Sequence, residues 1–208
     1  MSDAKTAEQA PIEQTPRPIP EVVQKQYDHL VETIRAYNPG ADFAQIDAAF
    51  RYAAAHHGTQ KRKDGSPFIT HPLAVAQIVA EELHLDSESI AAALLHDIGI
   101  HEAERRHGSS AGPYQEQEGP AVARPLLSAA GADESEIERI GWLIAHHHSC
   151  QAGEDTDFRI LLEADFLVNA EEDSLPRASI ASARERLFRT DSGKKLLDDI
   201  FLSEPYII

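Results

Sequence analysis

Apolar residues recur at three- and four-residue steps along almost the whole chain from Glu21 onward. The first of these segments ends near Asn38, and the second spans Phe43 to His57. Such spacing puts apolar side chains on one face of an α-helix, whereas a β-strand needs strict alternation, and no stretch of useful length alternates. The periodicity therefore predicts an all-α fold.

Turn and capping residues divide the rest of the chain into further helices. Pro72 suits the first turn of a helix that runs to about residue 83, and Asp86 caps the next helix, predicted for residues 87–98. Residues 99–119 contain Gly-Ser-Ser-Ala-Gly and are predicted to form a long irregular loop, a kind of segment that is often functional. The remaining helices are predicted at residues 120–130, 133–148, 155–172, 176–188 and 192–202, the second of them behind a capping box.

Length and proline content bound the domain organisation. Residues 1–20 include four prolines, several small polar residues and little that could pack, so we expect a flexible Pro-rich tail. The other residues, 21–208, are enough to bury a sizeable core, and we expect them to form a single domain.

Charge and cysteine content exclude several classes of partner and site. The 208 residues carry 19 Lys and Arg against 35 Asp and Glu, a formal charge of −16, which disfavours binding to nucleic-acid polymers and to anionic membranes. Cys150 is the only cysteine, so neither an internal disulfide nor a multi-thiolate zinc site can form. Because no apolar run could span a bilayer and no signal-peptide pattern opens the chain, we expect a cytoplasmic protein.

The doublet His96-Asp97 directly follows an unbroken apolar run at residues 90–95. A helix that is apolar on nearly every side is buried, so both polar side chains are expected at or near the core. A buried carboxylate without a partner costs about 3 kcal/mol or more, and no Lys or Arg lies nearby in sequence. A divalent cation would satisfy both groups; the alternative is a helix end whose His96 and Asp97 point into solvent.

A second polar pair interrupts the apolar segment at residues 158–170. Asp165 and Asn169 are four residues apart and share one helix face, so they suit a metal ligand and a group that positions substrate or water. The alternative is a salt bridge for Asp165 and a capping role for Asn169. His71, at a predicted helix start, would complete a set of two nitrogen and two oxygen ligands with Asp165 and the doublet. That set suits Mn²⁺, Fe²⁺, Co²⁺ or Zn²⁺, with Mg²⁺ as a further candidate.

Three consecutive histidines close the helix predicted at residues 133–148. His147 and His148 could add one or two metal ligands. Alternatively, the three histidines could form an exposed cluster, which a helix C-terminus favours as imidazolium. The sequence supports both interpretations equally.

His71, the doublet His96-Asp97 within Ala-Leu-Leu-His-Asp-Ile-Gly, and Asp165 together resemble the H…HD…D signature of the HD-domain metal-dependent phosphohydrolases. The resemblance covers about residues 43–201. It implies an all-α helical bundle and an enzyme that hydrolyses phosphate mono- or diesters, mostly of nucleotides, at one or two divalent metal ions. It also implies that these four residues bind the metal.

Two branches of that superfamily are visible, and the first lies in residues 55–72. This segment resembles the hydrolase domain of RelA/SpoT-type alarmone enzymes, which implies that Arg62 and Lys63 bind a guanine nucleotide and that Asn169 helps to hold it. Those enzymes carry a Glu-Asp pair two residues after the doublet to handle the attacking water. Ile100 and His101 occupy these positions here, so the pair is altered.

The second branch is visible from His96 onward, where the chain is more similar to small bacterial HDIG-type proteins. The similar stretches are residues 100–105, 108–112, 114–120, 146–149 and 163–169. In dinuclear members a His pair helps to hold a second metal, and His147 and His148 match that pair. Residues 115–118 occupy the place of a further His, which leaves open a second metal with a carboxylate ligand.

These features predict a metal-dependent phosphohydrolase that hydrolyses a small phosphate ester through metal-activated water. A nucleotide is the first candidate substrate. One alternative is an alarmone pyrophosphohydrolase-like enzyme with the altered catalytic pair. Another is a regulator without catalysis that binds a metal or a nucleotide on the same scaffold. The sequence leaves open the substrate, the metal and whether the chain forms a homo-oligomer.

Further roles are assigned by residue type. The candidate general acids and bases are two histidines and three glutamates: His101, His147, Glu102, Glu116 and Glu118. Arg62 and Lys63 lie in the densest positive run of the chain, and Arg105 lies in the next; these residues are the candidates to meet substrate phosphate.

Overall fold

The computed structural model describes residues 18–203, except for the side chains of Glu82 and Leu83. Over these residues the chain forms ten α-helices and a closing π-helical turn, and its β-type pairing is one isolated antiparallel bridge between Lys61 and Pro67. The predicted all-α fold is therefore confirmed. The helices are α1 (Glu21–Tyr37), α2 (Phe43–His57), α3 (Thr70–Leu83), α4 (Ser87–Leu95), α5 (Ile100–His107), α6 (Gly112–Ala129), α7 (Glu134–Ile144), α8 (Thr156–Glu172), α9 (Arg177–Arg186) and α10 (Asp191–Leu197), which the π-helical turn Asp198–Leu202 extends.

Side-chain caps explain why several helix starts could be predicted. Asp42, Asp86 and Asp133 each accept a hydrogen bond from a backbone N–H in the first turn of α2, α4 and α7, respectively. At α7 the capping box is complete, because Glu136 also accepts from the backbone N–H of Asp133. The predicted tail lies outside the described residues except for residues 18–20, and the assignment of residues 21–208 to a single domain stays a prediction.

The prediction of an irregular loop at residues 99–119 is wrong, because α5 and the first half of α6 lie there. Only Ile100 and Ala103 of α5 are buried, so this short helix lacks the long apolar stripe by which a helix is found in a sequence. Two glycines in this segment permit close contact with neighbouring elements. A Cβ on Gly99 would collide with the backbone of α6, and a Cβ on Gly119 would collide with Ile144 at the end of α7.

Two helices end earlier than predicted. α4 ends at Leu95 and α7 ends at residue 144, whereas the sequence predicts ends at residues 98 and 148. After α4 the backbone tightens, since the N–H of Ile98 donates to the carbonyl of Leu95 over 3.0 Å. The His-Asp doublet and His147 therefore lie in turns that directly follow α4 and α7.

α4 lies at the centre of the main apolar core. Its residues from Ser89 to Leu95 are all buried, and α2, α3, α7 and α8 pack around it. A smaller apolar cluster joins the C-terminal half of α8 to α9 and α10. This packing brings together the start of α3, the turns after α4 and α7, and the middle of α8. None of the helices described is both long and apolar enough to cross a bilayer.

Candidate metal centre

The four side chains that the sequence suggests as metal ligands meet in the core. His71 is the second residue of α3, the doublet His96-Asp97 follows α4, and Asp165 lies in α8. The side chains of the two histidines are only 1–2% exposed, and those of the two aspartates are 10–12% exposed. The cluster is therefore held by three helices that pack on one another and is largely shielded from solvent.

Two imidazole nitrogens and two carboxylates converge at the centre of this cluster. Nε2 of His71 lies 3.0 Å from Oδ1 of Asp165, 3.2 Å from Nε2 of His96 and 3.6 Å from Oδ2 of Asp97. Nε2 of His96 lies 3.3 Å from the same oxygen of Asp97 and 3.6 Å from Oδ1 of Asp165. Four side chains thus direct their ligand atoms at one small space.

The hydrogen bond made by Nδ1 of each ring determines whether its Nε2 presents a proton or a lone pair to that space. Nδ1 of His96 donates to the carbonyl of Ala93 over 2.8 Å, and Nδ1 of His71 lies 3.2 Å from Oε2 of Glu172. A neutral imidazole carries one N–H, so both Nε2 atoms then present lone pairs to each other and to two carboxylates. Such a set is repulsive without a cation, and two nitrogens with two oxygens fit a divalent metal ion.

Ionisation in the cluster agrees with a cationic partner. Burial by itself raises the pKa of Asp97, but His96 beside it holds that pKa well below its ordinary value. Burial likewise opposes the ionisation of Asp165, whose pKa is nevertheless lowered by the neighbouring imidazoles of His71 and His96. Conversely, burial lowers the pKa of His96, yet the two carboxylates raise it well above its ordinary value. Both aspartates stay ionised, and a positive charge between them stabilises the cluster.

His147 and His148 lie beside the same aspartate. Nε2 of His147 is 3.7 Å from Oδ1 of Asp97, and it is buried without a hydrogen-bond partner in the described part of the chain. Nδ1 of His147 donates to the backbone carbonyl of Ile144 over 2.7 Å, so its Nε2 lone pair faces the aspartate. Ligand atoms of Asp97, His147 and His148 all lie within 4.8 Å of one another, which makes them a second group able to hold an ion.

Two of the candidate catalytic glutamates are engaged by the basic end of α5. Glu102 pairs with Arg105 and Arg106, and the hydrogen bonds from Arg105 lower its pKa to about 2. Glu118 is buried, and its Oε1 lies 2.9 Å from Nε2 of His107. Arg105, a candidate for substrate phosphate, is thus tied to Glu102.

Glu116 reaches the turn after α7. Its Oε1 accepts from the backbone N–H of His148 and its Oε2 from the hydroxyl of Ser149, both over 2.9 Å. The carboxylate therefore fixes the turn that carries His147.

His101 packs against two histidines at the end of α2. Its ring centroid lies 5.1 Å from that of His56 and 6.4 Å from that of His57. His57 is buried, its Nε2 has no hydrogen-bond partner among the described residues, and burial lowers its pKa to about 4. The sequence suggested no role for His57, since one histidine on an apolar helix face carries no distinguishing pattern.

Of the candidate substrate-binding residues, Asn169 and Arg62 lie at the cluster. Nδ2 of Asn169 donates to Oδ1 of Asp165 over 2.8 Å. The guanidinium of Arg62 pairs with Glu172, and its central carbon lies 5.5 Å from the centroid of the Phe68 ring. Only 14% of the Arg62 side chain is exposed, so this cation lies at the wall of the site.

A comparison with protein-family models agrees with this geometry. Residues 49–137 match the model of a family described as the HD domain. This part of the chain is thus similar to an HD domain. The matched segment includes three of the four clustered residues, His71 and the doublet, whereas Asp165 lies beyond it.

Curated proteins that are similar to part of this chain are much longer than it is. The protein named GTP pyrophosphokinase rsh of Brucella ovis is 45% identical over 75 residues, which are 36% of this chain and 10% of that protein. The bifunctional (p)ppGpp synthase/hydrolase RelA of Mycobacterium tuberculosis is 47% identical over 68 residues, which are 33% of this chain and 9% of that protein. The match thus spans about a tenth of the length of these relatives, and it confirms the resemblance to RelA/SpoT-type enzymes.

The acidic end of α8 is the part of the candidate site that the sequence did not indicate. Glu172 pairs with Arg62, and Oδ1 of Asp173 binds Nζ of Lys63 over 2.6 Å at an exposed position. A signal was present, because Glu172 stands seven residues after Asp165 and therefore on the same helix face. Acidic residues at a helix end are usually solvated, so this position alone does not predict a role for Glu172.

Proposed function

We propose that this chain is a metal-dependent phosphohydrolase whose substrate is a small phosphate ester. A nucleotide is the first candidate for that substrate. The observation that carries the proposal is the convergence of two imidazole nitrogens and two ionised carboxylates in a buried cluster. The residues that would hold the ion are His71, His96, Asp97 and Asp165. Their mixed nitrogen and oxygen donors suit Mn²⁺, Fe²⁺, Co²⁺ or Zn²⁺, with Mg²⁺ as a further candidate.

The chemistry of the site then divides between the ion and the chain. A bound divalent ion supplies water with a pKa lowered towards about 7 and a positive charge that neutralises a phosphoryl oxygen. The apolar packing around the cluster keeps bulk water out, which strengthens each electrostatic contact inside it. We further propose that His147 and His148 hold a second ion with Asp97, a role that the unpartnered Nε2 of His147 supports.

Among the candidate acids and bases, we assign proton transfer to His101. Glu102 pairs with Arg105 and Glu118 pairs with Arg106, so their carboxylates already have partners in α5. Glu116 holds the turn after α7 and acts in the proposal as a positioning residue. His101 stands four residues after Asp97, is partly exposed, and packs beside the neutral His57.

Substrate contacts are assigned from position and charge. Asn169 and Arg62 lie beside the ligand cluster and would contact the substrate, whereas Lys63 would meet it at the exposed rim. Arg105 would reach a phosphate only after leaving Glu102, so we give it the weakest role.

An alarmone pyrophosphohydrolase is the second candidate function. Two observations favour it: relatives bear the names GTP pyrophosphokinase and (p)ppGpp synthase/hydrolase, and Arg62 lies on Phe68 beside the cluster, where a cation could meet a nucleotide. His101 would then replace the missing acidic pair. A regulator that binds metal or nucleotide without turnover is the third.

A single screen separates these functions. The purified chain, with its metal content measured, is assayed with added Mn²⁺ on nucleoside monophosphates, cyclic nucleotides and guanosine tetraphosphate. We expect release of phosphate from a monoester, and loss of at least about 100-fold in rate for D97N and D165N, because each removes a ligand charge. D199N makes the same change at an exposed carboxylate that pairs with Lys195 and should keep the wild-type rate.

Other outcomes overturn the proposal in distinct ways. Pyrophosphate released from guanosine tetraphosphate faster than any monoester is cleaved would replace the first function by the second. If no substrate is cleaved while Mn²⁺ still binds, the regulator is favoured. If wild type and D97N behave alike in both assays, the metal site itself is wrong.

A further inference from the structure

His71 obtains its ring partner differently from His96 and His147, the two buried histidines that lie beside Asp97. Nδ1 of His96 and Nδ1 of His147 both donate to the backbone carbonyl three residues earlier in the chain, over 2.8 and 2.7 Å. His71 lies at the start of α3, where its own backbone N–H donates to the carbonyl of Phe68 over 3.0 Å. Its Nδ1 instead faces a side chain 101 residues away, Oε2 of Glu172, at 3.2 Å.

The same oxygen of Glu172 has a second partner. The guanidinium of Arg62 also pairs with Oε2, so one carboxylate oxygen contacts both a candidate metal ligand and a candidate substrate-binding cation. The His71 side chain is 2% exposed and that of Glu172 is 25% exposed, which places the carboxylate between the buried cluster and the solvent-facing wall.

We propose that Glu172 is a positioning residue, which holds His71 in the tautomer that binds metal and divides its oxygen Oε2 between His71 and Arg62. The inference rests on the proposed function. An imidazole that offers Nε2 to an ion must carry its proton on Nδ1, and a carboxylate that accepts this proton fixes the ring and increases its basicity. Glu172 is in position to do both.

The sharing of Oε2 also predicts the effect of Arg62. As long as the guanidinium contacts that oxygen, it competes with the Nδ1–H of His71 for its lone pairs. Removal of Arg62 leaves the whole carboxylate to His71 and removes a positive charge near the ion. Arg62 therefore acts on metal binding in the opposite direction to Glu172, although the two residues form one ion pair.

Metal affinity without substrate tests these directions. Apo protein is titrated with Mn²⁺, and the free ion is measured for wild type, E172A, E172Q and R62M. We expect E172A to bind Mn²⁺ about 10- to 100-fold more weakly, the range typical of a lost partner of a metal-bound histidine. E172Q keeps an oxygen that can accept from Nδ1–H and should lose less, and R62M should bind at least as tightly as wild type.

The matched control is E171Q, which removes a charge one residue away on an exposed part of the same helix and should leave the affinity unchanged. The tautomer gives a second readout, from the ¹⁵N spectrum of histidine-labelled, Zn²⁺-loaded protein. There we expect the proton of His71 on Nδ1 in wild type and E172Q, with faster exchange of this proton in E172A.

Each contrary result has a definite meaning. Equal losses in E172A and R62M would show that Glu172 acts only by holding Arg62, and wild-type affinity in E172A would show that it has no role towards His71; either overturns the inference and leaves the proposed function standing. If wild type binds no divalent ion, the proposed function fails and the inference fails with it.

Discussion

The Nε2 atoms of His71 and His96 lie 3.2 Å apart, and each contacts a carboxylate. At the scale of single residues the candidate site is therefore a pair of bases and a pair of anions that would surround a bound cation. Hydrogen bonds with groups just outside the cluster orient them: the Ala93 carbonyl and the Glu172 carboxylate accept, and the Asn169 amide donates. Such partners are worth about 10- to 100-fold in metal affinity or activity, so they can be tested singly.

Asn169 provides the first prediction. Its Nδ2 donates to Oδ1 of Asp165, the oxygen that faces both histidines, over 2.8 Å. N169A leaves that oxygen free to turn away, and we expect Mn²⁺ to bind about tenfold more weakly in a titration of the apo protein. The same change at the end of α1, N38A, should leave the affinity as it is. Equal affinities for N169A and wild type would mean that Asp165 is oriented without this amide.

His57 provides a prediction about pH. Burial lowers its pKa from 6.5 to about 4, so between these values the unfolded chain binds a proton that the folded chain does not. The free energy of unfolding should therefore fall as the pH falls through this window, by at most roughly 3 kcal/mol from this residue. In urea unfolding at pH 6.5 and at pH 4, H57Q should show a smaller drop than wild type. H29Q, at an exposed histidine, should show the wild-type drop.

The burial of the candidate ligands could be predicted from the sequence, because the energetic cost of burying their carboxylates is visible there. The doublet follows an apolar run without a nearby Lys or Arg, and Asp165 interrupts another apolar segment. Glu172 could not be assigned in this way, since an acid at a helix end is normally solvated and its partners, His71 and Arg62, lie about a hundred residues away. Contacts between distant segments depend on helix packing, which periodicity alone does not specify.

At the scale of the elements, α5 and α6 show how the same residue type can mislead. Glycines at residues 99 and 119 predict an irregular chain, because glycine usually marks turns. In the structure they lie where α6 passes the turn after α4 and the end of α7. Close packing there brings the turn that carries Asp97 near the turn that carries His147, and so it shapes the candidate site.

Gly119 allows this packing to be tested. A Cβ at this position would collide with Ile144 and would also approach Gly99. Overpacking of this kind costs about 1–3 kcal/mol, so G119A should lower the free energy of unfolding by that amount in urea. The control is G40A, where the nearest atom, Oδ1 of Asn38, would lie 3.9 Å away, and which should change stability by less than about 0.5 kcal/mol. Similar values for the two variants would contradict close contact between these helices.

At the scale of the whole molecule, the candidate ligands come from α3, α8 and the turns after α4 and α7, which pack around one core. A cation bound there would link α3, α4 and α8 directly, and α7 through His147. The formal charge of −16 also attracts cations, but to the surface, where salt at physiological strength screens the attraction within about 8 Å. Binding of a cation at the cluster and attraction of cations to the surface should therefore affect the stability of the fold differently.

This difference gives the final prediction, which concerns thermal unfolding. An ion that binds only the folded state stabilises it by about 2.7 kcal/mol at 100 times its dissociation constant, which for a chain of this size raises Tm by roughly 5–10 °C. We expect this rise with Mn²⁺ in buffered salt, and its reversal by a chelator. D165N should show almost no rise in Tm. D199N, which changes an exposed carboxylate on the π-helical turn, should show the full rise. If Mn²⁺ raised the Tm of wild type and D165N equally, the ion would be stabilising the protein through its acidic surface and not through the cluster.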